Sequence, residues 1–246
     1  LDNFTWGNPQ KPDRLGSLVM ACKACYDFAK GFETPFISGK DSLYNESPMG
    51  PVTPTLLITA VGVMPDVRKT VSMELKKPEN SIYMVGKTFP QLGGSQYYQN
   101  KGILGNSVPK VRMEQAKKTM NLITEAIDNS LLRACHDLSE GGLAVASAEM
   151  AFSSGYGLQL DLQKVPKTSE LTRNDHVLFA ESNSRFLVEV SQKRKDAFEA
   201  LMNDADCAEI GKVKENKVLS VAGLNGKQVM RADIEELRRR WKNGLG

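Results

Sequence analysis

The run Ser38-Gly39-Lys40-Asp41-Ser42-Leu43-Tyr44-Asn45-Glu46 packs a glycine, a cation, two carboxylates and several hydroxyls into nine residues. That mixture suits a phosphate or a phosphate-bound Mg²⁺, because a hard cation takes oxygen ligands. A surface turn has the same composition. A second run, Cys135-His136-Asp137-Leu138-Ser139-Glu140-Gly141-Gly142-Leu143, leads into a stretch rich in Ala and Met. Asp137 offers a carboxylate to a divalent cation, and Ser139 a hydroxyl to a phosphate or to a helix N-terminus as its cap. The glycine pair lets backbone N–H groups approach an anion at the positive end of a helix. Gln91-Leu92-Gly93-Gly94-Ser95-Gln96-Tyr97-Tyr98 is an anion-nest candidate of low specificity. Glu181-Ser182-Asn183-Ser184-Arg185 sets a carboxylate beside an arginine, a pairing that reads equally as a structural salt bridge. His136 has no partner that spacing identifies. Spacing alone stops at a candidate phosphate and Mg²⁺ site.

The first three polar runs each follow an apolar stretch with strand character and the fourth precedes one, so loops at strand ends must position these residues. Helical spacing of Leu18, Val19, Cys22, Cys25, Tyr26 and Ala29 predicts a helix over 15–32, closed at Gly31. A short strand at 35–38 and a buried strand at 55–64 follow. Residues 65–80 read as a connector with one short strand at 70–74, which places a domain boundary there and gives domains 1–70 and 71–246. The second domain reads as strand 81–87, helix 110–129 with Val111, Ala116, Met120, Ile123 and Ile127 inward, and strand 131–135. Helix 142–152, strands 157–162 and 185–190, helix 195–202, a strand pair 208–213 and 217–221, and a charged helix 234–242 complete it. The fold class is α/β of the α+β sandwich type, with a mixed sheet in the second domain. Neither a Gly-x-Gly-x-x-Gly nor a P-loop motif occurs.

Composition narrows the function classes. At 246 residues, 41% hydrophobic and 25% charged, the chain is neither disordered, collagen-like nor coiled coil. Its net charge of +3 is spread along the sequence, which excludes a dedicated nucleic-acid binder. No apolar run approaches the roughly 18 residues of a membrane span. Four scattered cysteines make no disulfide framework and point to a reducing compartment, the cytoplasm. Cys22 and Cys25 form a Cys-x-x-Cys, but a zinc site needs a second ligand pair, and the histidines are only His136 and His176. Both thiols are expected on the buried face of their helix. A first residue of Leu rather than Met suggests a start inside a longer chain.

Taken in order, these segments resemble the second half of the phosphoribosylformylglycinamidine synthase family. The resemblance runs through Asp2-Asn3-Phe4 with Gly7-Asn8-Pro9, then Ser38 to Glu46, Leu92-Gly93-Gly94-Ser95, His136 to Ala144, and Glu181-Ser182 with Ser184-Arg185-Phe186. It implies a tandem enzyme whose halves each pair an N-terminal with a C-terminal α/β domain, as in the aminoimidazole ribonucleotide synthetase-like superfamily. Here 1–70 is part of the former and 71–246 the latter. The implied reaction is a ligase step of purine biosynthesis: formylglycinamide ribonucleotide, ATP and glutamine-derived ammonia give the amidine, ADP and phosphate.

Carried over by motif, Asp2, Gly39, Lys40 and Ser139 are nucleotide contacts, Ser42 a substrate contact and Asp137 a Mg²⁺ ligand. Residue 40 is a metal-ligand Asn in the small form of the family. An ammonium cannot coordinate a cation, so Lys40 is read as a direct phosphate contact. The Gly-Lys-Asp-Ser wording is closer to the large form with a fused glutaminase domain. The end of the chain soon after Trp241 favours the small form, which recruits a glutaminase subunit and a small bridging subunit. The catalytic histidine belongs to the first half, so no catalytic residue is assigned here and the fragment is expected to be inactive alone. Alternatives are a non-catalytic half holding an auxiliary nucleotide, and another ATP-dependent member of the superfamily. A truncated first domain exposes an edge and suggests a homodimer. Nucleic acid and membrane are not expected partners.

Overall fold

The computed structural model describes residues 1–244, and the chain forms two units, residues 1–65 and from Asp66 onward. In the first, β1 (Asp2–Thr5) leads into α1 (Pro12–Phe32), which returns the chain to β2 (Gly39–Ser42), parallel to β1. Parallel neighbours need such a crossover. A small hairpin of β3 (Glu46–Ser47) and β4 (Gly50–Pro51) follows, and β5 (Thr55–Ile58) pairs antiparallel with the other side of β1. Pro12 opens α1 where its missing N–H costs nothing. The helix closes on Glu33 in the left-handed conformation, φ 58°, and not on Gly31. Phe4 and Trp6 are buried, with the Trp6 indole donating to Ser17 Oγ at 2.9 Å.

Three sequence expectations for this unit are corrected. The strand expected at 35–38 lies at 39–42, and the one at 55–64 is short and largely exposed. No residue of α1 is buried, and Cys22 is exposed while Cys25 is half-buried, so the thiols do not share a buried face. Length explains it. Four-residue strands span about 13 Å, whereas the 21-residue helix spans about 31 Å. The sheet is too small to cover the apolar stripe.

The second unit is built on a seven-stranded mixed sheet. Its members are β6 (Ser81–Val85), β7 (Leu132–Asp137), β8 (Gly157–Asp161), β9 (Phe186–Val190), β10 (Cys207–Lys214), β11 (Val218–Ala222) and β12 (Gln228–Asp233). Their order is β12-β11-β8-β10-β6-β9-β7, with only β11 and β8 parallel. The helices are α2 (Gln96–Asn100), α3 (Met113–Asp128), α4 (Gly142–Ser154), α5 (Asn174–Phe179), α6 (Lys195–Leu201) and α7 (Ile234–Asn243). Alternation in β6 divides the core: Ile82 and Met84 join α4, α5 and α7 on one face, and Tyr83 and Val85 join α3 and α6 on the other. A sheet covered on both faces gives the fully buried run of β6.

Here too the structure departs from expectation. β10 and β11 are consecutive but unpaired, because β8 lies between them; the hairpin is β11 with β12. No strand forms at 70–74, where a 3₁₀ turn at Val67–Lys69 precedes β6. α3 starts at Met113 and buries Ala116, Thr119, Ile123 and Ala126, leaving Val111 and Met120 exposed. No helix among the described residues is long and apolar enough to cross a membrane.

Burial pushes the Cys135 and Cys207 thiols up to about 12. Each is then a neutral thiol at pH 8, and the thiolate is the nucleophile. With a neutral-pH thiol reagent, exposed Cys22 is expected to label first, and Cys135 and Cys207 only on unfolding. Equal labelling rates for all four thiols would contradict this burial. With native values raised above the unfolded thiol range, the contribution of these thiols to stability is complete below about pH 8.5 and is lost as the pH rises toward 12.

Candidate functional site

In the first unit the register of β1 and β2 sets Asp2 opposite Gly39, Asn3 opposite Lys40 and Thr5 opposite Ser42. A Cβ on Gly39 would fall 2.1 Å from Asp2 Oδ1, so a side chain there would displace that carboxylate. The Asn3 side-chain oxygen is buried with no hydrogen-bond partner among the described residues, an unsatisfied acceptor next to the candidate contacts. Lys40 and Asp41 are exposed. Ser42 Oγ lies 3.3 Å from Asn45 Oδ1, and the Asn45 amide donates to the Trp6 and Ser42 carbonyls. Glu46 accepts from the Asn8 N–H and pairs with Lys11 and Arg14. Those partners, the Lys11 hydrogen bond first, hold its carboxyl down at about 2. Glu46 is therefore a lock on the turn, leaving Asp41 as the uncommitted carboxylate of the motif.

In the second unit β7 carries His136 and delivers Asp137 to a cleft that Ser139, Glu140, Glu181 and Asn183 also line. The Asp137 side chain is 65% exposed, with Oδ1 3.3 Å from His136 Nδ1. His136 Nε2 lies 2.9 Å from Glu149 Oε2, so a glutamate of α4 is the partner that spacing did not reveal. Ser139 does not cap α4: its hydroxyl donates to Glu140 Oε2 at 2.9 Å, and Gly141, φ 74°, holds the cap position.

The glycine-rich loops are filled by the chain itself. Glu181 Oε1 accepts the N–H of Gly141 at 2.8 Å and of Gln96 at 3.0 Å, so one carboxylate occupies the approach to both helix N-termini. The N–H groups of Gly93, Gly94 and Ser95 go to the carbonyls of Ser107, Leu104 and Leu92. An amide bonded inside the chain has nothing to offer a ligand anion, so the nest reading of that segment fails. Arg185 forms no ion pair with Glu181. Buried, it donates to the carbonyls of Ala180 (2.6 Å) and Ser182 (2.8 Å) and to Thr88 Oγ1 (3.0 Å). Gly142, φ 59°, completes this junction, since a Cβ there would lie 2.4 Å from the Ala180 carbonyl. Sequence reasoning missed the roles of Glu149 and Glu181 because their partners lie outside the local run, and that of Arg185 because its acceptors are two nearby backbone carbonyls and the distant Thr88, none of which residue type reveals.

The donors facing the Asp137 cleft are oxygens, which suits Mg²⁺. Among the described residues no group of three or more His, Cys, Asp and Glu side chains is arranged to hold a metal. The cleft thus fits a Mg²⁺ that keeps waters and phosphate oxygens and takes Asp137 as its protein carboxylate, and does not fit an all-protein cage. Asp2, Gly39, Lys40 and Ser42 share paired strands of the first unit, and Asp137 and Ser139 share this cleft of the second.

Residues 77–223 match the family described as AIR synthase related protein, C-terminal domain. Phosphoribosylformylglycinamidine synthase subunit PurL of Methanothrix thermoacetophila is 33% identical over 99% of this chain and 32% of its own length. Similar solved structures include T. maritima PurL complexed with FGAR (TM-score 0.74, 16% identity, 96% of this chain and 39% of that one). The same protein complexed with ATP gives a TM-score of 0.71 at 17% identity, over 96% of this chain and 37% of that one. PurLQS from Thermotoga maritima gives 0.71 at 16%, over 95% and 37%. At such identities the structures show the fold, a mixed α/β arrangement shared with PurL. The chain spans about a third of the length of the curated relatives it matches.

Proposed function

The chain belongs to the AIR synthase related family, with a PurL-like C-terminal domain, and from that premise we propose that it is the nucleotide-binding part of a phosphoribosylformylglycinamidine synthase. In this reading residues 1–70 close an N-terminal synthetase-like domain and 71–246 form its C-terminal partner. The reaction is the ATP- and Mg²⁺-dependent amidation of formylglycinamide ribonucleotide with glutamine-derived ammonia. A glutaminase and a small bridging subunit are its partners, in keeping with the PurLQS structure among the similar folds.

The observation that carries this reading is the cleft in which Asp137 and Ser139 are exposed together while the loops around them are tied internally. Asp137 would hold Mg²⁺, which when bound supplies charge neutralisation to the phosphates. Within the second unit Ser139 contacts a phosphate oxygen; within the first, taken by itself, Lys40 contacts phosphate as a point charge, Asp2 and Gly39 contact nucleotide, and Ser42 contacts the ribonucleotide. The acid–base group for the amide chemistry lies outside these residues, so the chain alone binds without turnover. A cation at position 40, where a metal ligand would stand in the small form, favours a second reading in which this half holds a nucleotide without hydrolysing it. Equilibrium dialysis with ATP, with and without Mg²⁺, tests both. Mg²⁺-dependent binding weakened at least tenfold in Asp137→Asn is expected, and recovery of the nucleotide unhydrolysed over hours separates the second reading from the first only when the complete enzyme turns over. Absence of binding contradicts both.

A further inference from the structure

The turn Asn183-Ser184 lines two clefts of opposite character, the acidic one with Asp137 and another whose charged residues are Lys87, Lys110 and Arg112. The second is built with some care. The Arg112 guanidinium lies 3.5 Å from the Phe89 ring centroid, a cation–π contact. Phe89 is itself held at both backbone groups by Ser182, whose hydroxyl accepts its N–H and donates to its carbonyl. Lys87 follows the end of β6 and lies 3.6 Å from Asp206, which also accepts from Gln115 at 2.8 Å. Among the described residues no ion pair joins Lys110 or Arg112 to a carboxylate. Three cations against one carboxylate leave two positive charges facing one cleft. A concave site lined by one sign concentrates counter-ions of the other.

We propose that this cleft is an anion site for a phosphate group, carried as inorganic phosphate or as a phosphomonoester. The match is one of charge. A phosphate dianion answers both uncompensated charges, where a carboxylate answers one. The planar guanidinium presents paired N–H donors to two phosphate oxygens, with Lys87 and Lys110 as point charges. The inference does not rest on the nucleotide reading, since none of the three cations lines the Asp137 cleft.

The test is isothermal titration of the 246-residue chain at low salt with inorganic phosphate, with ribose 5-phosphate and with acetate. Phosphate binding is expected to weaken at least tenfold in Arg112→Ala and in Lys110→Ala, to recover only partly in Arg112→Lys, and to fall with added NaCl. Lys193→Ala, an exposed lysine elsewhere, is expected to leave it unchanged, and acetate to bind at least tenfold more weakly. Tighter binding of ribose 5-phosphate assigns the site to a phosphomonoester, and equal binding to the free ion. Wild-type phosphate binding equal to that of Arg112→Ala and Lys110→Ala, or acetate binding as tightly as phosphate, overturns the proposal. ATP binding that survives in Arg112→Ala while phosphate binding is lost separates this site from the Asp137 cleft. Both exposed variants should melt as the wild type does, which removes misfolding as an explanation.

Discussion

Arg185→Met is expected to destabilise the larger unit by about 3 kcal/mol or more, the largest effect of any single substitution near the candidate site. The guanidinium is almost wholly buried, and its three donors are the partners of the Ala180 carbonyl, the Ser182 carbonyl and Thr88 Oγ1. Methionine fills similar space but donates nothing, so each acceptor is left unsatisfied at about 1–3 kcal/mol. Ala180 and Ser182 flank Glu181, whose carboxylate ties Gly141 to Gln96. Loss of Arg185 therefore loosens both glycine-rich loops together. Urea denaturation followed by far-ultraviolet circular dichroism measures it. A midpoint unchanged from wild type would show that the arginine does not organise the junction.

Gly142→Ala strikes the same junction from the other side and is expected to cost about 2–3 kcal/mol. Two penalties add: a left-handed backbone, φ 59°, that a Cβ disfavours, and a Cβ only 2.4 Å from the Ala180 carbonyl. That carbonyl cannot swing away cheaply, because Arg185 Nη2 donates to it at 2.6 Å. Gly226→Ala is the control, with φ 75° but nothing within 4 Å of the new methyl, and should cost about 1 kcal/mol. Combining Gly142→Ala with Arg185→Met should cost less than the separate effects together, because both break one contact. Equal losses for Gly142→Ala and Gly226→Ala would mean the close approach carries no weight.

Local signals were legible and long-range ones were not. The 3.6-residue period identified α1 and α3, the small residues of 142–152 identified α4, and the apolar run at β6 is buried as such runs are. The order of the sheet was hidden, because β8 inserts between β10 and β11 through pairings far apart in sequence. A signal for the true hairpin did exist: Asn225-Gly226, with Gly226 left-handed, is a turn pair of the type that joins antiparallel strands. For the site, the exposed Asp137 and Ser139 come together as their shared run implies. The glycine-rich loops misled because glycine signals a turn whether the amides face a ligand or, as with Glu181, an internal carboxylate. No local pattern reports which partner is present.

In the proposed reading the second unit holds a Mg²⁺-bound nucleotide through Asp137. Thermal unfolding of the chain with increasing ATP or ADP, each with and without Mg²⁺, tests it most directly, because a ligand bound only by the native state stabilises it by mass action. A hundredfold excess over the dissociation constant corresponds to about 2.7 kcal/mol, a readable rise in melting temperature. The expected result is a rise that requires Mg²⁺ and disappears in Asp137→Ala. An unchanged rise in Asp137→Ala, or none at millimolar nucleotide and Mg²⁺, would contradict it.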